Sequence, residues 1–142
     1  MIQALLKTEE DLQAVAQELV SHLKGIRVLL LTGDLGAGKT TFVRYLAAQL
    51  GSESWVNSPT YTLVHHYPYP AGEIIHMDLY RLDEASIIES IDLAYYLSLE
   101  KTLLVIEWAD RLAWDLYPPE QLILHFELLA DGSRRISGLK SP

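Results

Sequence analysis

Residues 33–40 read GDLGAGKT and match the pattern G-x-x-x-x-G-K-[ST]. The chemistry such a pattern supports is the binding of a polyphosphate. Gly33, Gly36 and Gly38 permit backbone angles and a close approach that a Cβ would block. The amides around Asp34, Leu35 and Ala37 can then turn inward as an anion cradle, in front of the positive end of a following helix. Lys39 brings a point charge to the β- and γ-phosphates, and the Thr40 hydroxyl a ligand for Mg²⁺. Thr41 adds a hydroxyl near the α-phosphate.

Phosphoryl chemistry also needs an acid at the end of a neighbouring apolar strand, to hold Mg²⁺ directly or through water. Residues 103–107, LLVIE, have that form, with Glu107 as the acid. Glu107 serves there either as a metal residue or as the group that polarises an attacking water. Asp78, in HMDLYRL, is a rival acid that shares a strand face with Ile74 and His76. It is either a site residue or a strand-end cap. His76 and Asp78 stand at i, i+2, but no third metal ligand accompanies them. His65 and His66 are adjacent and point to opposite faces of a strand, so they cannot share a metal. Ser58, Thr60 and Thr62 form a hydroxyl-rich block that reads either as plain β-propensity or as a switch-like loop that senses a γ-phosphate. Arg81 reads as a salt-bridge partner more than a charge stabiliser, and Trp108 as core packing more than a stacking platform. The guanine-reading pattern N/T-K-x-D is absent, so ATP is the expected nucleotide. The six Arg are widely scattered and give no Arg-rich lid, which weighs against a nucleotide kinase.

These residues need elements to position them. Leu12, Val15, Ala16, Leu19, Val20 and Leu23 recur at helical spacing and predict a helix over residues 8–23, capped by Thr8 with Asp11 three positions on and ended at Gly25. The apolar run 28–31 predicts a buried parallel strand leading into the Gly-rich loop, and residues 40–50 the helix that follows it. Residues 55–56 suggest a short strand. Residues 60–67 and 73–79, around a Pro/Gly turn, predict a hairpin. A helix in two pieces is expected over 83–99, a second apolar strand over 102–106 and a short helix over 109–116. A terminal hairpin is expected around the Ala130-Asp131-Gly132-Ser133 turn.

The chain's 142 residues accommodate one domain, residues 1–142. Eleven Lys and Arg against nineteen Asp and Glu leave a net charge of −8, a poor basis for independent binding to nucleic acid or an anionic membrane. The longest apolar run is five residues, 93–97, too short for a membrane span, and the N-terminus carries no cleavable signal pattern. The absence of Cys removes thiol catalysis and cysteine-based metal sites and agrees with a cytoplasmic protein.

GDLGAGKTTF, SPTYTLVHHY, HMDLYRL and IEWADRL, in this order and spacing, closely resemble the TsaE (YjeE) family of bacterial ATPases required for threonylcarbamoyladenosine formation in tRNA. The blocks span residues 33–112. The resemblance implies a small three-layer α/β P-loop domain with a mixed parallel and antiparallel sheet. It matches Lys39 and Thr40 to the phosphate and Mg²⁺ residues, Glu107 to the second Mg²⁺-associated acid, and Asp78 to an acid with a catalytic role. It places Thr60 and Thr62 in a switch-like block. It implies weak ATPase activity alone and partnership with the TsaD–TsaB pair, with tRNA reached only through that complex. His65 and His66 depart from the pattern, where a polar or acidic residue is expected, and are given no role. A small-molecule kinase, or a nucleotide-dependent binding module with incidental hydrolysis, are the alternative readings.

Overall fold

The computed structural model describes residues 2–34, 36–54, 56, 64–80, 82–83, 85–87, 92–111 and 117–140. Along the chain these form β1 (Ile2–Leu6), α1 (Glu9–Val20), β2 (Val28–Gly33), α2 (Lys39–Gln49), β3 (Val64–Tyr69), β4 (Gly72–Asp78), α3 (Leu93–Ser98), β5 (Thr102–Glu107), a 3₁₀ turn (Ala109–Arg111), β6 (Gln121–Leu128) and β7 (Arg134–Lys140). The strands make one sheet in the order β1-β7-β6-β2-β5-β4-β3.

The sheet is mixed, as the family resemblance implies. β2 runs parallel to both β5 and β6, and β4 parallel to β5. The flanking pairs β3–β4, β6–β7 and β1–β7 are antiparallel. Both faces of the central strands are covered, which is why β2 and β5 read as unbroken apolar runs and not as alternations. Leu29, Leu31, Ile74, Leu103, Val105 and Phe126 point to one face and are packed by α1 and α2. Val28, Leu30, Ile75, Met77, Leu104 and Ile106 point to the other, against Ile87, Tyr117 and the partly buried side chains of α3. Phe42 of α2 meets Phe126 of β6 edge to face at 5.5 Å, a favoured aromatic geometry.

α1 begins where the pattern puts it. The Thr8 hydroxyl accepts from the Asp11 N–H at 3.3 Å, and the Asp11 carboxylate accepts from the Thr8 N–H at 3.1 Å. The helix ends at Val20, before the expected Leu23; Ser21 is its C-cap, and the chain turns through to Gly25 at φ 79°. Val20 and Leu23 still pack against the core. β1 has no counterpart in the sequence reading. Val56 lies outside any strand, and its expected neighbour Trp55 falls outside the described residues. The hairpin reading holds for β3 and β4, with residues 60–63 outside the description. Residues 85–87 and α3 are helical, and Asp92 caps α3 by accepting from the Tyr95 N–H at 3.1 Å. Of the short helix expected over 109–116, the 3₁₀ turn is described and residues 112–116 are not.

Candidate functional site

β2 delivers the Gly-rich loop. Gly33, its last residue, pairs with Phe126 on β6 at φ 124°, and a Cβ there would stand 1.9 Å from the Phe126 carbonyl oxygen. Only glycine lets the two backbones pass so closely. The root of the loop is then tied to β6: the Asp34 N–H donates to the Phe126 carbonyl at 3.4 Å, and the Asp34 carboxylate accepts from the Leu128 N–H at 3.5 Å. Arg134 of β7 donates to the Gly36 carbonyl at 3.3 Å. Gly36 at φ 78° and Gly38 at φ 102° carry the chain into α2, for which Gly38 is the N-cap. Leu35 lies outside the described residues; Ala37 is buried.

Lys39 is the first residue of α2 and is 5% exposed. Its Nζ donates to the Gly33 carbonyl at 2.7 Å and the Asp34 carbonyl at 2.9 Å. The Trp108 ring centroid is 4.1 Å away. Burial pushes the Lys39 ammonium below the usual lysine range, while Glu107, Asp78, Asp34 and Asp110 pull it back up. A buried cation hydrogen-bonded, among the described residues, to carbonyl dipoles and set against a ring face, beside a loop of turned amides, fits a polyphosphate.

β5 brings Glu107 to the same place. The Thr40 hydroxyl donates to both of its carboxylate oxygens, at 3.0 and 2.9 Å. Glu107 is 3% exposed. Register sets Asp78, the last residue of β4, directly beside it. Asp78 accepts from the Tyr80 N–H at 3.0 Å, so the strand-end capping anticipated for it is present. Its place beside Glu107 is present as well. Among the described residues no three His, Asp or Glu side chains group as a metal cage. Thr40 and Glu107 instead suit Mg²⁺, which is commonly held by one or two carboxylates together with substrate phosphates.

The structure thus gathers Gly33, Asp34, Gly36, Ala37, Gly38, Lys39, Thr40, Asp78 and Glu107 at one end of the parallel strands, with Thr41 beside Thr40 in α2. Ser58, Thr60, Thr62 and Arg81 fall outside the described residues. Trp108 does more than pack the core. It is only partly buried, turns at φ 57°, stacks near Tyr80 at 4.8 Å and faces Lys39. Sequence reasoning weighed His76 only as a metal ligand beside Asp78 and gave it no other role. Its ring is fully buried, and its Nε2 lies 2.6 Å from Glu107 Oε2. The signal was an imidazole in the middle of an otherwise apolar strand, in phase with Asp78. His65 and His66 do face opposite ways: His65 meets Tyr67, whereas His66 bonds Glu73 and lies near Tyr96.

Known proteins resemble this chain along nearly its whole length. The family model "Threonylcarbamoyl adenosine biosynthesis protein TsaE" matches residues 6–136. The tRNA threonylcarbamoyladenosine biosynthesis protein TsaE of Aquifex aeolicus is 38% identical over 136 residues, covering 94% of this chain and 92% of that protein. The Bacillus subtilis protein of the same name is 38% identical over 128 residues, covering 90% of this chain and 78% of its own. The crystal structure of Bacillus subtilis YdiB superposes with a TM-score of 0.73 at 26% identity, over 99% of this chain and 86% of that one. The Gly-rich loop, the paired strand-end acids and the mixed sheet therefore sit in a chain that belongs to the TsaE family of threonylcarbamoyladenosine biosynthesis proteins.

Proposed function

We propose that this protein binds ATP with Mg²⁺ and hydrolyses it in support of threonylcarbamoyladenosine formation in tRNA, together with a TsaD–TsaB-like pair in the cytoplasm. The observation that carries the reading is the hydrogen bond from Thr40 to Glu107, between residues 67 apart in sequence. It joins the loop hydroxyl to the strand-end acid, the two groups that such chemistry requires on one metal.

The loop amides and Lys39 bind the phosphates. To do so, Lys39 gives up part of its contact with Gly33, Asp34 and the Trp108 ring. Thr40 and Glu107 would hold Mg²⁺, which when bound would supply positive charge against the phosphate oxygens. Asp78 orients or deprotonates the attacking water. Catalysis on this reading rests on positioning and charge, without covalent chemistry. Among the described residues no helix is long and apolar enough to cross a membrane.

The test is ATP turnover with and without the TsaD–TsaB pair, for the wild-type chain and Lys39→Ala. The expected outcome is slow turnover alone, stimulation by the pair and loss of both in the variant. Absence of stimulation, or full turnover by Lys39→Ala, overturns the proposal. Phosphorus NMR of the products must show free phosphate; phosphate on another acceptor would indicate a kinase.

A further inference from the structure

Glu107 is held by more than Thr40. Its Oε2 lies 2.6 Å from His76 Nε2, His76 Nδ1 lies 3.2 Å from the Tyr67 hydroxyl, and that hydroxyl lies 3.2 Å from His65 Nδ1. The string crosses three neighbouring strands on the sheet face that carries α2. Register explains it: His65 of β3 stands opposite His76 of β4, and Asp78, two residues beyond His76, stands beside Glu107 of β5.

The directions of these bonds follow from their chemistry. A carboxylate offers only acceptors, so His76 donates from Nε2. In its neutral form, an imidazole with its hydrogen on Nε2 accepts at Nδ1, and the Tyr67 O–H then points at His76. The Tyr67 oxygen then accepts from His65. With His76 neutral, every hydrogen in the string points toward Glu107. His76 has no exposed surface, and Tyr67 is 3% exposed, so water does not substitute readily for either bond. An ordinary buried histidine is satisfied by whatever is near. This one spends its donor on the acid that also takes the Thr40 hydroxyl.

We propose that His76 is a positioning residue for the metal-binding carboxylate. By occupying Oε2 it fixes the orientation of Glu107, and Tyr67 fixes the tautomer that lets it do so. The inference rests on the reading of Thr40 and Glu107 as Mg²⁺ residues. Partners of this kind behind a metal-binding carboxylate change metal affinity by about 10–100-fold when removed.

The experiment measures binding of a fluorescent ATP analogue to the full chain, in EDTA and across a Mg²⁺ titration. His76→Leu is expected to raise the Mg²⁺ midpoint by about 10–100-fold, with affinity in EDTA unchanged. His76→Gln, whose amide supplies a donor near the Nε2 position, restores most of the shift. Tyr67→Phe keeps the ring and removes only the hydroxyl; it raises the midpoint by a smaller factor and decides the matter if His76→Leu does not fold. Unchanged midpoints in the folded variants, or equal losses with and without Mg²⁺, overturn the inference. Glu107→Gln separates the two claims. If it raises the midpoint while the His76 and Tyr67 variants do not, only the inference fails. If Glu107→Gln leaves the midpoint unmoved, the reading of Glu107 as a Mg²⁺ residue fails and the inference with it.

Discussion

Gly33 and Gly36 belong to one loop but resist substitution for different reasons. A Cβ on Gly33 would meet the Phe126 carbonyl oxygen at 1.9 Å, with the backbone already at φ 124°. That obstacle is backbone in the next strand and cannot rotate away. Gly33→Ala is expected to cost about 3 kcal/mol or more in a denaturant melt. At Gly36 a Cβ would meet nothing within 4 Å, and only the φ of 78° resists it. Gly36→Ala should cost about 1–2 kcal/mol of strain and remain folded. If the loop binds ATP as proposed, its larger effect should be on nucleotide affinity, because the new preference for negative φ turns the cradle amides away. Asp78 allows a similar separation of roles. Asn can still accept the Tyr80 N–H at Oδ1, so Asp78→Asn keeps the turn and removes the base. If Asp78 handles the attacking water, turnover falls about 10²–10⁴-fold with the melting temperature unchanged. Unchanged turnover would reduce Asp78 to its capping role.

At the scale of elements, α1 carries the clearest local signal and the clearest local test. Thr8→Ala removes one half of the capping box and should cost about 1 kcal/mol. The Lys7 and Thr8 N–H groups hold the Asp11 carboxyl below its usual range. A group whose pKa is lowered on folding stabilises the fold above its unfolded value. That contribution is lost as pH falls through the lowered one, so acid melts of wild type and Asp11→Ala should converge there, whereas Thr8→Ala, which keeps both N–H groups, should stay offset from wild type. What was legible in the sequence follows the same locality. The capping box, both hairpins and the strand–loop–helix around Lys39 are written in neighbouring residues. β1 was not legible, because it pairs with β7, more than 120 residues further on. The early end of α1 was not legible either: Val20 and Leu23 stay against the core after the helix stops, so the apolar period outlasts the element. The His65–Tyr67–His76–Glu107 string needs a register that only the assembled sheet supplies.

Seen as a whole, the fold explains why one small chain can assemble the site. Gly33, Asp78 and Glu107 are the last residues of β2, β4 and β5, strands that run parallel in adjacent positions. Parallel alignment brings their ends to one edge, where α/β sheets bind ligands. The same chain carries a net charge of −8, and its best-placed cation, Lys39, is buried against its own loop. Arg134 is likewise engaged, on the Gly36 carbonyl. Nine other Lys and Arg face nineteen Asp and Glu, so the surrounding carboxylates oppose an RNA backbone. If the protein acts in tRNA modification through a partner complex, the isolated chain should bind tRNA no more tightly than the roughly 10⁻⁴–10⁻⁶ M typical of non-specific contacts at physiological salt. Its binding should also lack a steep salt slope, since the slope counts the phosphates neutralised. A gel-shift or filter-binding titration across 50–200 mM salt (about the range over which such slopes are read) checks both. Tight, steeply salt-dependent binding by this chain alone would mean that it contacts tRNA directly, and the indirect role proposed for it would have to be withdrawn.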